Sequence, residues 1–165
     1  MDRHGTRQLE RATTVDAPVD GVYQLFMDNQ ALPEWAPVVD AVLTEVGGDE
    51  LGVGRTRTCA VTMGGRSGTM VERCVEAVPG SRASFVVDDD SFGFNRMLRH
   101  YSFTADFTSR PDGTTLVRID TFYTPANPIA ALLNRLIMRR KFRAVVDALL
   151  AGLRASAEQR HRAGT

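Results

Sequence analysis

Cysteine, histidine and lysine are scarce in this sequence, and each scarcity excludes something. The two cysteines, Cys59 and Cys74, cannot build a disulfide framework. No histidine or cysteine pair has zinc-ligand spacing, and neither thiol has a nearby activating group in the sequence. His4 and His161 fall in expected tails, so His100 is the one histidine of the body, and strand parity puts it on a wet face. Metal hydrolysis and covalent catalysis are therefore discounted. Twenty basic residues balance twenty acidic ones, which gives no field for nucleic acid. Nineteen of the basic residues are arginine, Lys141 being the exception, a bias expected of a high-GC bacterial genome. No apolar run approaches the roughly 20 residues of a membrane span, so no stable membrane insertion is expected. "MDRHGTRQLE" lacks the apolar core of a signal peptide, and a cytoplasmic protein with free thiols is expected. "GVGRTR" lacks the third glycine of a dinucleotide fingerprint and "GGRSGT" the lysine of a phosphate loop, so both read as turns. With no ligand cluster and no nucleotide loop, neither a metal nor an organic cofactor is expected.

What remains is a chain of 165 residues, 43% hydrophobic, enough for one domain with a sizeable core. Residues 1–165 are read as that single domain, with 1–6 and 159–165 as flexible tails. Arg7 to Val15 reads as a strand of weak alternation. Asp16-Ala17-Pro18 then opens a helix whose stripe is Val19, Val22, Leu25 and Phe26, ending near Asp28-Asn29. A short proline-stiffened turn follows and carries Trp35, the only tryptophan. From Val38 the period changes. Runs of eight to twelve residues separated by "VGGDELGVG", "MGGRSG", "VPGS", "DDDSFGFN" and "SRPDGT" predict an antiparallel meander. The clearest strand alternates Tyr101, Phe103, Ala105 and Phe107 with Ser102, Thr104, Asp106 and Thr108. In the next, Val117, Ile119, Thr121 and Tyr123 form the less charged face. Asn127-Pro128 caps a long helix reaching about Glu158, with Met138, Phe142, Val145, Leu149 and Leu153 along one stripe. Strand, two short helices, about six strands and one long helix make an α+β domain. The long helix must cover the apolar face of a curved antiparallel sheet of six to seven strands, and a gap is left at one end. The Trp35 turn is expected to plug that gap.

The stretches "VDAPVDGVYQLFMDNQALPEW", "GVGRTR", "VEAVPGSRASF" and "PDGTTLVRIDTFY", with the terminal helix, resemble the START-like, Bet v 1-like (SRPBCC) superfamily, in particular its bacterial polyketide cyclase/dehydrase branch. The resemblance covers about Leu9 to Glu158 and implies a helix-grip fold that binds a hydrophobic ligand between sheet and long helix. It also implies a place in secondary metabolism, but the fold alone does not choose between chemistry and carriage. One reading is a cofactor-independent cyclase or dehydratase of a polyketide-type metabolite. The other is a non-catalytic carrier or sensor of a lipid, quinone or polyketide.

Candidate site residues follow from parity and from cost. Counting back by twos from Phe107 turns Arg99 and Met97 inward beside Tyr101, so Arg99 is the expected stabiliser of an enolate and Tyr123 the expected proton carrier. Near a strand end Arg99 has the alternative of sending its head to water. A buried charge needs a partner. If the "GGRSGT" turn pairs Met63 with Met70, Arg57 falls opposite Glu76 and Cys59 opposite Cys74. Phe85, Phe103, Met138 and Phe142 complete the expected wall. Phe92 and Phe94, flanking Gly93 in a loop, are either a flap over the cavity mouth or ordinary packing. The preceding Asp88 to Asp90 reads as a solvated rim. The basic cluster Arg135 to Arg143 is either a solvated face or, through the polyketide analogy, a landing site for an acyl carrier protein. A monomer or a homodimer is expected.

Overall fold

The computed structural model describes residues 5–164. Seven strands, β1 (Arg7–Val15), β2 (Val39–Val46), β3 (Thr56–Met63), β4 (Arg66–Val78), β5 (Arg82–Asp90), β6 (Leu98–Ser109) and β7 (Thr115–Pro125), form one antiparallel sheet in the order β1-β7-β6-β5-β4-β3-β2. Helices α1 (Val19–Met27) and α2 (Leu32–Trp35) carry the chain from one edge of the sheet to the other. A single turn, α3 (Phe94–Met97), sits between β5 and β6. The C-terminal helical run comprises α4 (Pro128–Leu133), a π-helical turn over Asn134–Met138, and α5 (Arg139–Ala163). Its start is the expected one: the Asn127 side chain accepts the Ala130 N–H at 2.8 Å, and Pro128 occupies the first turn. Its end lies beyond the expected Glu158, so 159–163 are helical and His161 is in the last turn. Residues 1–4 and 165, part of the expected tails, lie outside the described residues, and His4 with them.

The core is what two-residue and 3.6-residue periods demand. Cys59, Val61, Met70, Phe85, Ala105, Phe107, Val117 and Ile119 on the concave face of the sheet meet Val146, Leu150, Leu153 and Ala157 of α5 in one buried cluster. A smaller cluster at the other end joins Leu9, Leu98 and Tyr123 to Met138 and Phe142. α2 lies against α5 because Gly152 has no side chain there. A Cβ at that position would stand 1.9 Å from the Trp35 carbonyl oxygen.

Two local features set which side chains face inward. The β3–β4 turn is only Gly64-Gly65, with φ of +57° and +76°, a pair that matches the twist of a tight hairpin. Met63 therefore pairs with Arg66 rather than Met70, Cys59 with Met70 rather than Cys74, and Arg57 with Glu72 rather than Glu76. The second is a bulge in β6 between Arg99 and Ser102, where His100 takes φ +56°. The extra residue reverses parity upstream of Tyr101. Leu98 occupies the buried slot, 2% exposed, while Arg99 and His100 are exposed. The expectation that Arg99 faces the cavity is corrected by that bulge, and His100 is wet as expected.

Candidate functional site

Between the concave sheet and α5 lies a cavity of about 100 Å³, walled by α1, α2, β2, β3, β4, β6, β7 and α5. Its lining is mostly apolar. Phe26, Leu32 and Trp35 close one side, Val61, Met63 and Met70 another, and Val145, Val146 and Leu149 form the helical wall. Trp35 is 4% exposed and stacks on Phe26 at 5.7 Å, so the turn that carries it is cavity wall and core together. The Trp35 Nε1–H has no acceptor among the described residues. That is an orphaned buried donor at the wall.

Four polar side chains break the apolar lining: Arg57, Glu72, Tyr101 and Thr121. Arg57 is 5% exposed and heavily engaged. Its Nε and Nη2 both donate to Glu72 Oε2, at 2.8 and 2.7 Å, and its Nη1 donates to Asn29 Oδ1 at 2.7 Å. The guanidinium also lies 4.6 Å from the Phe85 ring centre. Arg57 thus ties the α1–α2 linker to the sheet, and its charge is neutralised within the wall. Glu72 Oε1 accepts no hydrogen bond among the described residues, and the hydroxyls of Tyr101 and Thr121 make none either. Burial first, then the Glu72 and Tyr123 groups, push the Tyr101 hydroxyl well above its ordinary ionisation range. Burial, with Glu72, likewise raises the Cys59 thiol to about 11 against the opposing pull of Arg57, so this wall cysteine is a neutral thiol and no nucleophile.

The structure brings five of the expected residues, Trp35, Arg57, Tyr101, Phe103 and Phe142, onto the cavity wall. Others stand behind it. Phe85 lies behind Phe103, the rings stacked at 5.3 Å. Met138 and Tyr123 belong to the smaller cluster, and the buried Tyr123 hydroxyl donates to Asn134 Oδ1 at 2.5 Å. Burial raises Tyr123 to about 12. Met97 packs on that same cluster. Glu76 is not Arg57's partner. It accepts from the Ser84 hydroxyl at 3.0 Å, beyond a bulge between Cys74 and Glu76. Arg99 is outside.

Phe92 packs against the larger core cluster and Phe94 against the smaller one, beside the cavity rather than in its lining. They stack on each other at 5.7 Å, and Phe94 meets Phe142 edge-on at 5.2 Å and Tyr101 at 6.4 Å. Asp90 holds this turn by accepting the N–H groups of Phe94 and Asn95 at 2.9 and 2.8 Å, while Asp88 pairs with Arg73 at 2.7 Å. No group of carboxylates, cysteines and histidines that would hold a metal is present among the described residues. Glu72, Cys59 and Thr121 were not singled out from sequence as wall residues. The signal that would have found Glu72 was the Gly64-Gly65 pair itself, read as a two-residue turn.

The fold is shared with solved proteins. A START superfamily protein from Mycobacterium smegmatis matches with a TM-score of 0.74 at 13% identity, over 92% of this chain and 97% of that one. The Zhui aromatase/cyclase from Streptomyces sp. R1128 matches with a TM-score of 0.75 at 16% identity, over 92% and 93%. The major latex-like protein 151 from Panax ginseng matches at 0.69 and 14%, over 90% and 95%. No curated protein matches the sequence. No helix among the described residues is long and apolar enough to cross a membrane. Residues 6–158 match the family described as polyketide cyclase / dehydrase and lipid transport, and the chain, a START-like helix-grip domain with a cavity for a hydrophobic ligand, belongs to it.

Proposed function

We propose that this protein binds and carries a small, largely apolar molecule whose single polar end meets Glu72, Tyr101 and Thr121. The observation that carries this reading is the neutralisation of Arg57. Among the described residues the one cation in the wall is held by Glu72 and Asn29, and none of them brings an unpaired positive charge to the cavity to stabilise an enolate. What the wall offers instead is a carboxylate oxygen and two hydroxyls without protein partners in an apolar shell, a set that orients a ligand hydroxyl or carbonyl. At about 100 Å³ the cavity admits at most a single-ring ligand.

The same free groups favour a second reading, cofactor-independent cyclisation or dehydration. Glu72 Oε1 would remove a proton and Tyr101, held neutral, would donate one, the apolar walls keeping water out. Calorimetry with p-cresol and toluene tests the binding reading. The parent should prefer p-cresol by roughly fivefold, the worth of one hydrogen bond, and Tyr101→Phe/Thr121→Val should erase the preference. An unchanged preference in the double variant refutes the assigned polar end. Turnover of a β-keto thioester by the parent, lost in Glu72→Gln and Tyr101→Phe, would establish the second reading.

A further inference from the structure

The C-terminal helical run has two apolar faces, and the fold buries only one. Ala130, Asn134, Met138, Phe142 and Val146, at steps of four, face the sheet. Ile129, Leu132, Leu133, Leu136 and Ile137 recur at the i, i+3, i+4, i+7, i+8 spacing of a buried stripe, yet stand 73%, 57%, 38%, 64% and 47% exposed. Five of the nine large exposed apolar side chains among the described residues therefore fall within nine consecutive positions, which single exposed leucines on an ordinary surface do not do.

The charges around this stripe are as uneven. Arg135, Arg139, Arg140, Lys141 and Arg143 lie on the same run, and no acidic residue occurs between Asp120 and Asp147, although the whole chain is neutral. Elsewhere nine arginines are held by carboxylates. Here Arg139 donates to the Gln8 carbonyl, and Arg135, Arg140, Lys141 and Arg143 are exposed with no carboxylate within 4.0 Å among the described residues. An aliphatic stripe bordered by unpaired cations is the composition of a helix that lies in the headgroup region of an anionic bilayer.

We infer that the α4–π–α5 segment docks this protein onto an anionic membrane surface, with Ile129, Leu132, Leu133, Leu136 and Ile137 entering the headgroup boundary and the basic residues meeting lipid phosphates. A second copy of the chain fits less well, because a two-fold contact on this face would bring five positive charges against five. An acidic carrier protein matches the charges but not an aliphatic stripe without an aromatic anchor. The position is apt for exchange with a bilayer. Phe142, on the inner face of the same run, lines the cavity and meets Phe94 edge-on at 5.2 Å, and the Ala126 N–H, just before the run, donates to the Met97 carbonyl at the end of α3 at 2.8 Å.

The test is vesicle flotation of the full chain, which needs no cavity ligand and is decided independently of what the cavity holds. The protein should float with phosphatidylcholine/phosphatidylglycerol vesicles and stay behind with pure phosphatidylcholine. Leu132→Gln/Leu136→Gln should cut binding roughly a hundredfold, the worth of two leucines partly withdrawn from water. Arg140→Gln/Arg143→Gln should cut it roughly thirtyfold and flatten its salt dependence. Ile129→Gln/Ile137→Gln repeats the apolar test if the leucine variant loses its native melt. Failure of the parent to float refutes the inference. So does a concentration-dependent dimer abolished by the leucine variant, or capture of an acidic acyl carrier protein without vesicle binding.

Discussion

Arg57→Met measures how far one ion pair holds the cavity wall together. The substitution keeps most of the stem packed against Phe85 but leaves the Glu72 carboxylate, 14% exposed, without a counter-charge. An uncompensated buried charge costs about 3–5 kcal/mol, and the cavity-facing Glu72 oxygen places this case near the lower end. Asn29 Oδ1, buried with its residue at 7% exposure, also loses its donor, adding about 1 kcal/mol. A loss of about 4 kcal/mol lowers the melting temperature by about 8–16 °C in a domain of this size. Glu72→Met should cost about 3 kcal/mol for the mirror reason, whereas Arg57→Met/Glu72→Met should return to within about 1 kcal/mol of the parent, since well-packed apolar residues replace a buried pair at little cost. Glu76→Met is the control. It removes only an acceptor for Ser84 and should cost about 1 kcal/mol. Urea unfolding of all five proteins, with slopes checked for constancy, gives the coupling energy directly. Additivity of the two single losses to within about 0.5 kcal/mol, or a Glu76 variant as damaged as the Glu72 variant, would refute the assignment of Glu72 as the partner.

Three further outcomes are expected. All three tyrosines are held above their ordinary value of 10.0 by burial first, Tyr123 to about 12, so absorbance at alkaline pH should show little tyrosinate at pH 10 in the folded protein; because the folded values exceed the unfolded ones, the stability they support is present below pH 10 and falls as pH rises above it, and half-ionisation at pH 10 while folded would contradict this. Gly152→Ala drives a methyl into the Trp35 carbonyl and should cost about 1–3 kcal/mol, visible as a lower melting temperature and altered Trp35 fluorescence, whereas an unchanged melt would show that α2 does not bear on α5 at that point. Arg99→Met should leave stability within about 0.5 kcal/mol and p-cresol affinity unchanged, as for an exposed residue outside the wall; a large loss of affinity would return Arg99 to the site.

Much of this fold was legible because its clearest signals are periodic. The alternation from Tyr101 to Phe107 fixed a strand and its inward side chains, though Ser102 and Thr104 on the face expected to be wet are buried, and Asn127-Pro128 fixed the start of the final helix to the residue. Legibility failed where one residue changes parity. A histidine in the left-handed region at His100 has no sequence signature, so extending the alternation by one step sent Arg99 to the wrong face. In "GGRSGT" the expected loop was too long by four positions in register, an even error that kept the faces right as far as Cys74 and every partner wrong, while the bulge before Glu76 put that residue on the other face. That is why Arg57 was correctly placed inside while Glu72 was missed. The helical run from Pro128 carries two apolar stripes at once, and spacing alone does not say which of them the sheet covers.

The Gly64-Gly65 turn has a reach well beyond its own two residues. Suppose one residue is inserted beside it and the tight turn re-forms. Every partner on β4 then slips by one: Arg57 faces Val71, and Glu72 turns out to solvent. The same slip turns the wall residue Met70 outward and brings Val71 and Arg73 inward, so part of the apolar lining is lost together with the counter-charge of Arg57. The charge balance of the cavity wall is thus set from a solvent-exposed hairpin, because its two-residue turn is what places a carboxylate opposite Arg57.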